Sequence, residues 1–96
     1  MDAEGTKQSY LLVPPEFITD LARVLNYGAR KYEPFGWQER TSAEYLDAAM
    51  RHLLAAMDAR NNGRMVAYNC EDDGLPHLAQ AAVDCLIALW LQRREL

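Results

Sequence analysis

Residues 72–92 read DDGLPHLAQAAVDCLIALWLQ, a helical pattern apolar on more than one side that still carries His77, Gln80 and Asp84. Positions 77, 80 or 81, and 84 stack along one side of a helix, because it turns once in about 3.6 residues. An ionised Asp84 in such a place costs several kcal/mol unless a cation, a hydrogen-bond network or water meets it. The plain structural account is that His77 sits at the helix start and Asp84 meets an arginine such as Arg51. The chemical account is that an imidazole and a carboxylate are held together for acid–base work or for a metal.

A second segment, DAAMRHLLAAMDA, offers a matching face. Asp47 and Arg51 are spaced i, i+4, which by itself is an ordinary surface ion pair. His52 lies beside Met50, Leu53 and Leu54, where a lone histidine is more often a hydrogen-bonded core residue than a ligand. Two helices that both bring carboxylate and imidazole inward, however, are how helical bundles build metal sites. CEDDG, residues 70–74, sets Glu71, Asp72 and Asp73 before a helix start. Favourable interaction with the helix dipole accounts for one or two acids there, not three. Oxygen-rich clusters suit Mg²⁺ or Mn²⁺, and a nearby histidine admits Mn²⁺ or Zn²⁺. Arg30 and Lys31 end an earlier helical pattern, where cations meet the dipole. In the functional account Lys31 and Arg51 hold phosphates while Tyr32 or Trp37 stacks on a base.

The elements that must position these groups are helical. Pro14 and Pro15 reset the chain, and Phe17, Leu21, Val24, Leu25 and Gly28 recur at helical spacing over residues 15–30, with Gly28 suited to a close helix approach. KYEPFGWQERTS, residues 31–42, is a loop broken by Pro34 and Gly36 and holding Tyr32, Phe35 and Trp37. Thr41 and Glu44 have the spacing of a capping box, opening a helix to about residue 60 that NNG stops. Its apolar stripe, Leu46, Met50, Leu53, Leu54 and Met57, is the expected core face. Residues 63–74 read as irregular, and a last helix runs from about residue 75 to 93, with Asp73 or Gly74 at its cap and Pro76 in its first turn. The expected fold is all-α: one domain over residues 1–96, a compact bundle of three to four helices completed by dimerisation, with residues 1–10 flexible.

Composition narrows the partners. Ninety-six residues, half of them hydrophobic, make one core that a second subunit would enlarge, so a homodimer or higher oligomer is expected. A net charge of −4 from 10 basic and 14 acidic residues argues against a general grip on nucleic acid or anionic membrane. No apolar run approaches the ~20 residues of a membrane span, and the start is unlike a signal peptide. A cytoplasmic protein is expected, with Cys70 and Cys85 as reduced thiols.

Taken in order, LLVPPEFITDLARVLNYGARKYEPFGW, DAAMRHLLAAMDA and DDGLPHLAQAA resemble the phage and bacterial family described as dATP/dGTP diphosphohydrolase, N-terminal domain. That family is similar in style to the all-α MazG-like nucleoside triphosphate pyrophosphohydrolases. The resemblance spans roughly residues 11–89, carried by YGARKY, Trp37, Arg51-His52 and the GLPHLA run. It implies metal-dependent hydrolysis of a (deoxy)purine nucleoside triphosphate to monophosphate and pyrophosphate, in a phage-encoded protein of the host cytoplasm. It also implies Asp47, Asp72 and Asp84 on Mg²⁺ or Mn²⁺, with His52 and His77 as ligands or their supports. Lys31 and Arg51 would then sit on phosphates and Tyr32 and Trp37 on the base. A MazG-like pattern pairs E-x-x-E with E-x-x-D, whereas this chain has Glu44-x-x-Asp47 and Ala81-x-x-Asp84, and Gln80 stands where similar sequences show a histidine. The missing acid keeps two other readings open: a module that binds or sequesters a purine nucleotide without cleaving it, as in phage counter-defence, and a helical adaptor whose ion pairs only specify packing.

Overall fold

The structure, a computed structural model, describes residues 7–64, 66–69 and 73–95. It is all-α: α1 is Pro15–Lys31, α2 is Ser42–Asn61 and α3 is His77–Glu95, with short 3-10 turns at Tyr10–Leu12 and Gly36–Glu39. The described residues contain no strand, only an isolated bridge between Tyr68 and Pro76. Residues 1–6 and 70–72 lie outside the described residues, and with them Asp72, Cys70 and most of the expected flexible start. Tyr10, within that expected flexible start, belongs to the first 3-10 turn.

Local chemistry sets the helix ends. Pro15 occupies the first turn of α1, where its missing N–H removes no helical bond. Thr41 caps α2 in a full capping box: Glu44 N donates to Thr41 Oγ1 at 3.2 Å, and Thr41 N donates to Glu44 Oε1 at 2.9 Å. The Thr41 backbone N–H, and after it the Thr41 hydroxyl, which also donates to Glu44 Oε1, hold the Glu44 carboxyl below its ordinary pKa. The chain leaves α2 through Asn62 and Gly63, whose φ of 81° suits glycine. It then folds back, with His77 N donating to Ala67 O at 2.8 Å and Asn69 N to Leu75 O at 2.9 Å. Pro76 is paired in this bridge rather than in the helix, so α3 starts two residues later than the pattern suggests. Asp73 is the acid at that start, its Oδ1 accepting from Leu75 N at 2.9 Å and Gln80 Nε2 at 3.0 Å.

Helices α2 and α3 form the main hairpin, with α1 packed on α3. Ser42 N and Oγ donate to the two carboxylate oxygens of Glu95 at 3.2 and 3.0 Å, which ties the end of α3 to the positive end of α2. The hairpin interface is built from small residues, with Ala49, Ala59, Ala81 and Ala88 all buried, so the two backbones approach closely. The larger core is Val83, Ile87 and Leu91, covered by Leu21 and Val24 of α1, Trp37 of the loop, Tyr45 of α2, and Trp90.

Three expectations change. The stripe Leu46, Met50, Leu53, Leu54 and Met57 is exposed, because α2 turns its alanines and Tyr45 toward α3 instead. Helix α3 is apolar on several sides without being surrounded, since Leu78, Leu86 and Leu89 also face outward. Gly28 admits no close helix: a side chain there would meet nothing within 4 Å. It borders a cavity instead.

Candidate functional site

Between α1, the loop before α2, and the inner faces of α2 and α3 lies a cavity of about 530 Å³, within the range of small-ligand sites. Three sets of groups converge there: the cations Lys31 and Arg40, the aromatics Tyr27, Tyr32, Trp37 and Tyr45, and the acidic and polar groups Glu33, Glu39, His52, Asp73, Gln80 and Asp84. A smaller hollow of about 310 Å³ shares Tyr32, Arg40, Tyr45 and Ala48 with it and adds Glu44, Asp47 and Arg51. The two form one adjoining depression, with Arg40 and Tyr32 on the ridge between.

The cations are gathered by a ring. Lys31 Nζ lies 5.5 Å from the centroid of Tyr32, and the Arg40 guanidinium lies 5.4 Å from it. Attraction to the ring face lets two positive groups share one mouth despite their repulsion. Lys31 is brought there as the last residue of α1, and Arg40 by the 3-10 turn that ends just before the α2 cap. Trp37 fixes that loop: its ring meets Trp90 of α3 edge to face, with centroids 5.0 Å apart and planes at 80°. Part of Trp37 is therefore committed to the core, and Tyr32 is the more exposed aromatic at the mouth.

Asp84 is the strained group electrostatically. Its Oδ2 is buried with no hydrogen-bond partner among the described residues. Burial pushes its carboxyl pKa up from 3.8 to about 6, opposed by the charge of Arg51. Arg51 itself pairs with Asp47 on the exposed side of α2. Arg51 thus acts on Asp84 through its field while holding a different carboxylate. Tyr45 is likewise raised by desolvation, which keeps its hydroxyl a proton donor beside the cavity.

His52 and His77 meet across the hairpin, Nδ1 to Nδ1 at 2.8 Å, with ring centroids 5.0 Å apart. At that distance one Nδ1 carries a proton and the other accepts it. If His52 donates, its Nε2 keeps the lone pair, and protonating that atom leaves the shared bond intact. His52 borders the cavity; His77 stands behind it as partner.

The expected residues thus divide by position. Lys31, Tyr32, Trp37, His52 and Asp84 line one cavity, and His77 touches it through His52. Asp47 and Arg51 lie in the adjoining hollow, on the outer side of α2. Asp72 lies outside the described residues. Arg40, Tyr45, Asp73 and Gln80 were not singled out as site residues. Tyr45 is seven residues before His52, so helical spacing puts both on one face; Arg40 sits in a loop whose path no periodicity reveals.

The MazG-like pattern implies a divalent metal, and the donor set limits how one could be held. Among the described residues no three His, Cys, Asp or Glu side chains converge on a common point. Mg²⁺ is often held by only one or two carboxylates, with waters and substrate phosphates completing the octahedron. Asp84, with its unpartnered buried oxygen, fits that role. Ala81, where the pattern wants a further acid, is packed in the hairpin core at 3 % exposure.

The described residues include no helix long and apolar enough to cross a membrane. No solved structure gives a significant match to the chain. A protein of Salmonella phage PMBT28 named dATP/dGTP diphosphohydrolase is 32 % identical over 80 residues, 83 % of this chain and 25 % of the relative. The chain therefore spans about a quarter of that relative's length. The profile of the family described as "dATP/dGTP diphosphohydrolase, N-terminal" matches residues 1–96. With that match running end to end over an all-α chain, the protein belongs to the dATP/dGTP diphosphohydrolase N-terminal family.

Proposed function

We propose that the cavity binds a (deoxy)purine nucleoside triphosphate and supports its metal-dependent hydrolysis to monophosphate and pyrophosphate. The observation that carries this reading is the pairing of a two-cation mouth at Tyr32 with the unpartnered buried oxygen of Asp84 in one cavity. The name of the phage relative supports the substrate class.

In this reading Lys31 and Arg40 hold phosphate oxygens, with the Arg40 fork suited to two at once. Arg51 adds positive field from the adjoining hollow. Tyr32 and the exposed part of Trp37 flank the base. Asp84 and the substrate phosphates would hold Mg²⁺ or Mn²⁺, which supplies charge neutralisation at the attacked phosphorus and a more acidic water. The water oxygen bonds to the α-phosphorus as the bond from that phosphorus to the bridging oxygen of the β-phosphate breaks, and pyrophosphate leaves with the electron pair. His52 Nε2 takes the water's proton, and the charged imidazolium is stabilised by its Nδ1–H bond to His77. Gln80 and Asp73 brace each other beside the cavity floor.

A second reading, binding without cleavage, is favoured by Ala81: the position that carries an acid in the MazG-like pattern is filled here by core packing. Phosphorus NMR of the protein with dGTP, dATP, GTP or ATP, with Mg²⁺ or Mn²⁺ and again with chelator, separates the two. Metal-dependent appearance of pyrophosphate and monophosphate is the expected result. Triphosphate resonances that broaden without cleavage would overturn hydrolysis and leave binding, and unchanged spectra would overturn both.

A further inference from the structure

Gln80 carries a polar atom that the rest of the chain leaves without a use. The residue is 7 % exposed, and its amide is held in one orientation: Nε2 donates to Asp73 Oδ1 at 3.0 Å and to Leu75 O at 3.3 Å. A carboxylate and a backbone carbonyl only accept, so the amide cannot turn end for end without losing both bonds. Its Oε1 accepts no hydrogen bond from any described residue. Nor is Oε1 sealed in protein, since Asp84 Oδ2 is the one fully buried side-chain oxygen without a partner among the described residues. It opens on the cavity that Gln80 lines. A carbonyl so far withdrawn from bulk water needs a donor, and that donor has to come from the contents of the cavity.

The place of Gln80 on the hairpin says which donor. His77, Gln80 and Asp84 follow one another along α3, with Gln80 about 4.5 Å along the axis from His77 and about 6 Å from Asp84. On α2, His52 is bonded to His77, and Tyr45, seven residues earlier, lines the cavity with Asp84. Ala48 lies between Tyr45 and His52 on the same lining, and its methyl fills little of the space before Gln80. That space runs from His52 at one end to Asp84 at the other.

We propose that Gln80 Oε1 accepts a hydrogen bond from the water that attacks the α-phosphorus, one O–H of that water bonded to Gln80 while His52 Nε2 takes the other proton. The inference rests on the hydrolytic reading of the cavity given above. As the water oxygen bonds to phosphorus, one proton passes to His52, the second stays on the oxygen with its bond to Gln80, and pyrophosphate leaves with the electron pair of the broken P–O bond. Gln80 neither gains nor loses a proton. With both O–H directions fixed, a lone pair of the oxygen is aimed at the phosphorus, and the alignment is made before the reaction rather than during it. A neutral imidazole also offers a donor at one edge and an acceptor at another, so Gln80→His keeps both roles, whereas Gln80→Met keeps the size and loses the acceptor.

Steady-state hydrolysis of dGTP and dATP by the 96-residue chain, with Mg²⁺ or Mn²⁺ at about pH 8, where imidazole is neutral, tests this beside isothermal titration with a dGTP analogue whose α–β bridge is an uncleavable imido group. Gln80→Met should lower kcat at least about tenfold for both nucleotides and leave the analogue Kd within about threefold. Gln80→His should keep kcat within about threefold of the parent, and it tests the same claim if circular dichroism shows Gln80→Met unfolded. A parent that releases no pyrophosphate overturns the hydrolytic reading and this inference with it. With an active parent, a folded Gln80→Met that loses less than about tenfold in kcat, or a folded Gln80→His that loses more, overturns the role of Oε1 alone. A loss confined to analogue affinity, or to one of the two bases, overturns it as well and assigns the carbonyl to base recognition.

Discussion

Replacing Asp84 by asparagine should make the protein more stable at neutral pH and less able to bind a metal-nucleotide complex. The folded state raises the Asp84 pKa from 3.8 to about 6. A raised carboxyl pKa means the folded state holds its proton longer than the unfolded chain does. Below pH 3.8 both states are protonated and Asp84 costs nothing. As pH rises from 3.8 through about 6 the folded state loses stability, and above that the full penalty is present. A shift of that size corresponds to about 3 kcal/mol. Asp84 is only partly buried, so solvent screening reduces it to about 1 kcal/mol. Asp84→Asn should therefore gain about 1 kcal/mol at pH 8, or about 4–8 °C in Tm, and close to nothing at pH 3.5. Urea denaturation of both proteins at the two pH values reads this, with Asp47→Asn, on the exposed side of α2, expected within about 0.5 kcal/mol of the parent. Added Mg²⁺ and dGTP should raise the Tm of the parent and not of Asp84→Asn. A variant less stable than the parent at pH 8, or an equal gain at both pH values, would refute the burial argument.

Removing a cation from the mouth should weaken nucleotide binding without unfolding the chain. Lys31→Ala and Arg40→Ala, read by isothermal titration with dGTP, should each lose about 10- to 100-fold in affinity, the equivalent of one charge-assisted contact. Thr41→Ala breaks the capping box of α2 and should cost about 1 kcal/mol in urea denaturation, with no change in nucleotide affinity. Phe35 holds a left-handed backbone at φ 62° while mostly exposed, and Phe35→Asn should raise stability by about 0.5–1 kcal/mol, because asparagine tolerates that conformation better than an aromatic residue does. A loss of stability in that variant would mean the Phe35 ring makes a contact worth more than the strain.

Local signals in the chain were sufficient for the start of α1 and both ends of α2. Two prolines opened α1, the Thr41–Glu44 spacing opened α2, and NNG closed it, because caps and breakers act within a few residues and need no tertiary partner. The all-α class followed from the same periodicities. Much of the cavity lining was legible too: Asp84 as a carboxylate on an apolar helix, His52 beside an apolar stripe, Lys31 at a helix end, and Tyr32 and Trp37 in a loop rich in aromatics. Which side of each helix turns inward was decided only by packing. An apolar stripe at residues 46–57 and a row of alanines both satisfy helical periodicity; the hairpin buried the alanines because they let α2 and α3 approach and left the leucines and methionines outside. The same choice left the Asp47–Arg51 pair, formed within α2, on the outer side and brought His52 against His77, a pairing that depends on the rotation of one helix against the other. Arg40 reached the cavity mouth through a loop path set by the Trp37–Trp90 contact between residues far apart in the chain. Periodicity determines that a helix has faces; only the tertiary structure, by pairing them, decides which face becomes core, cavity or open surface.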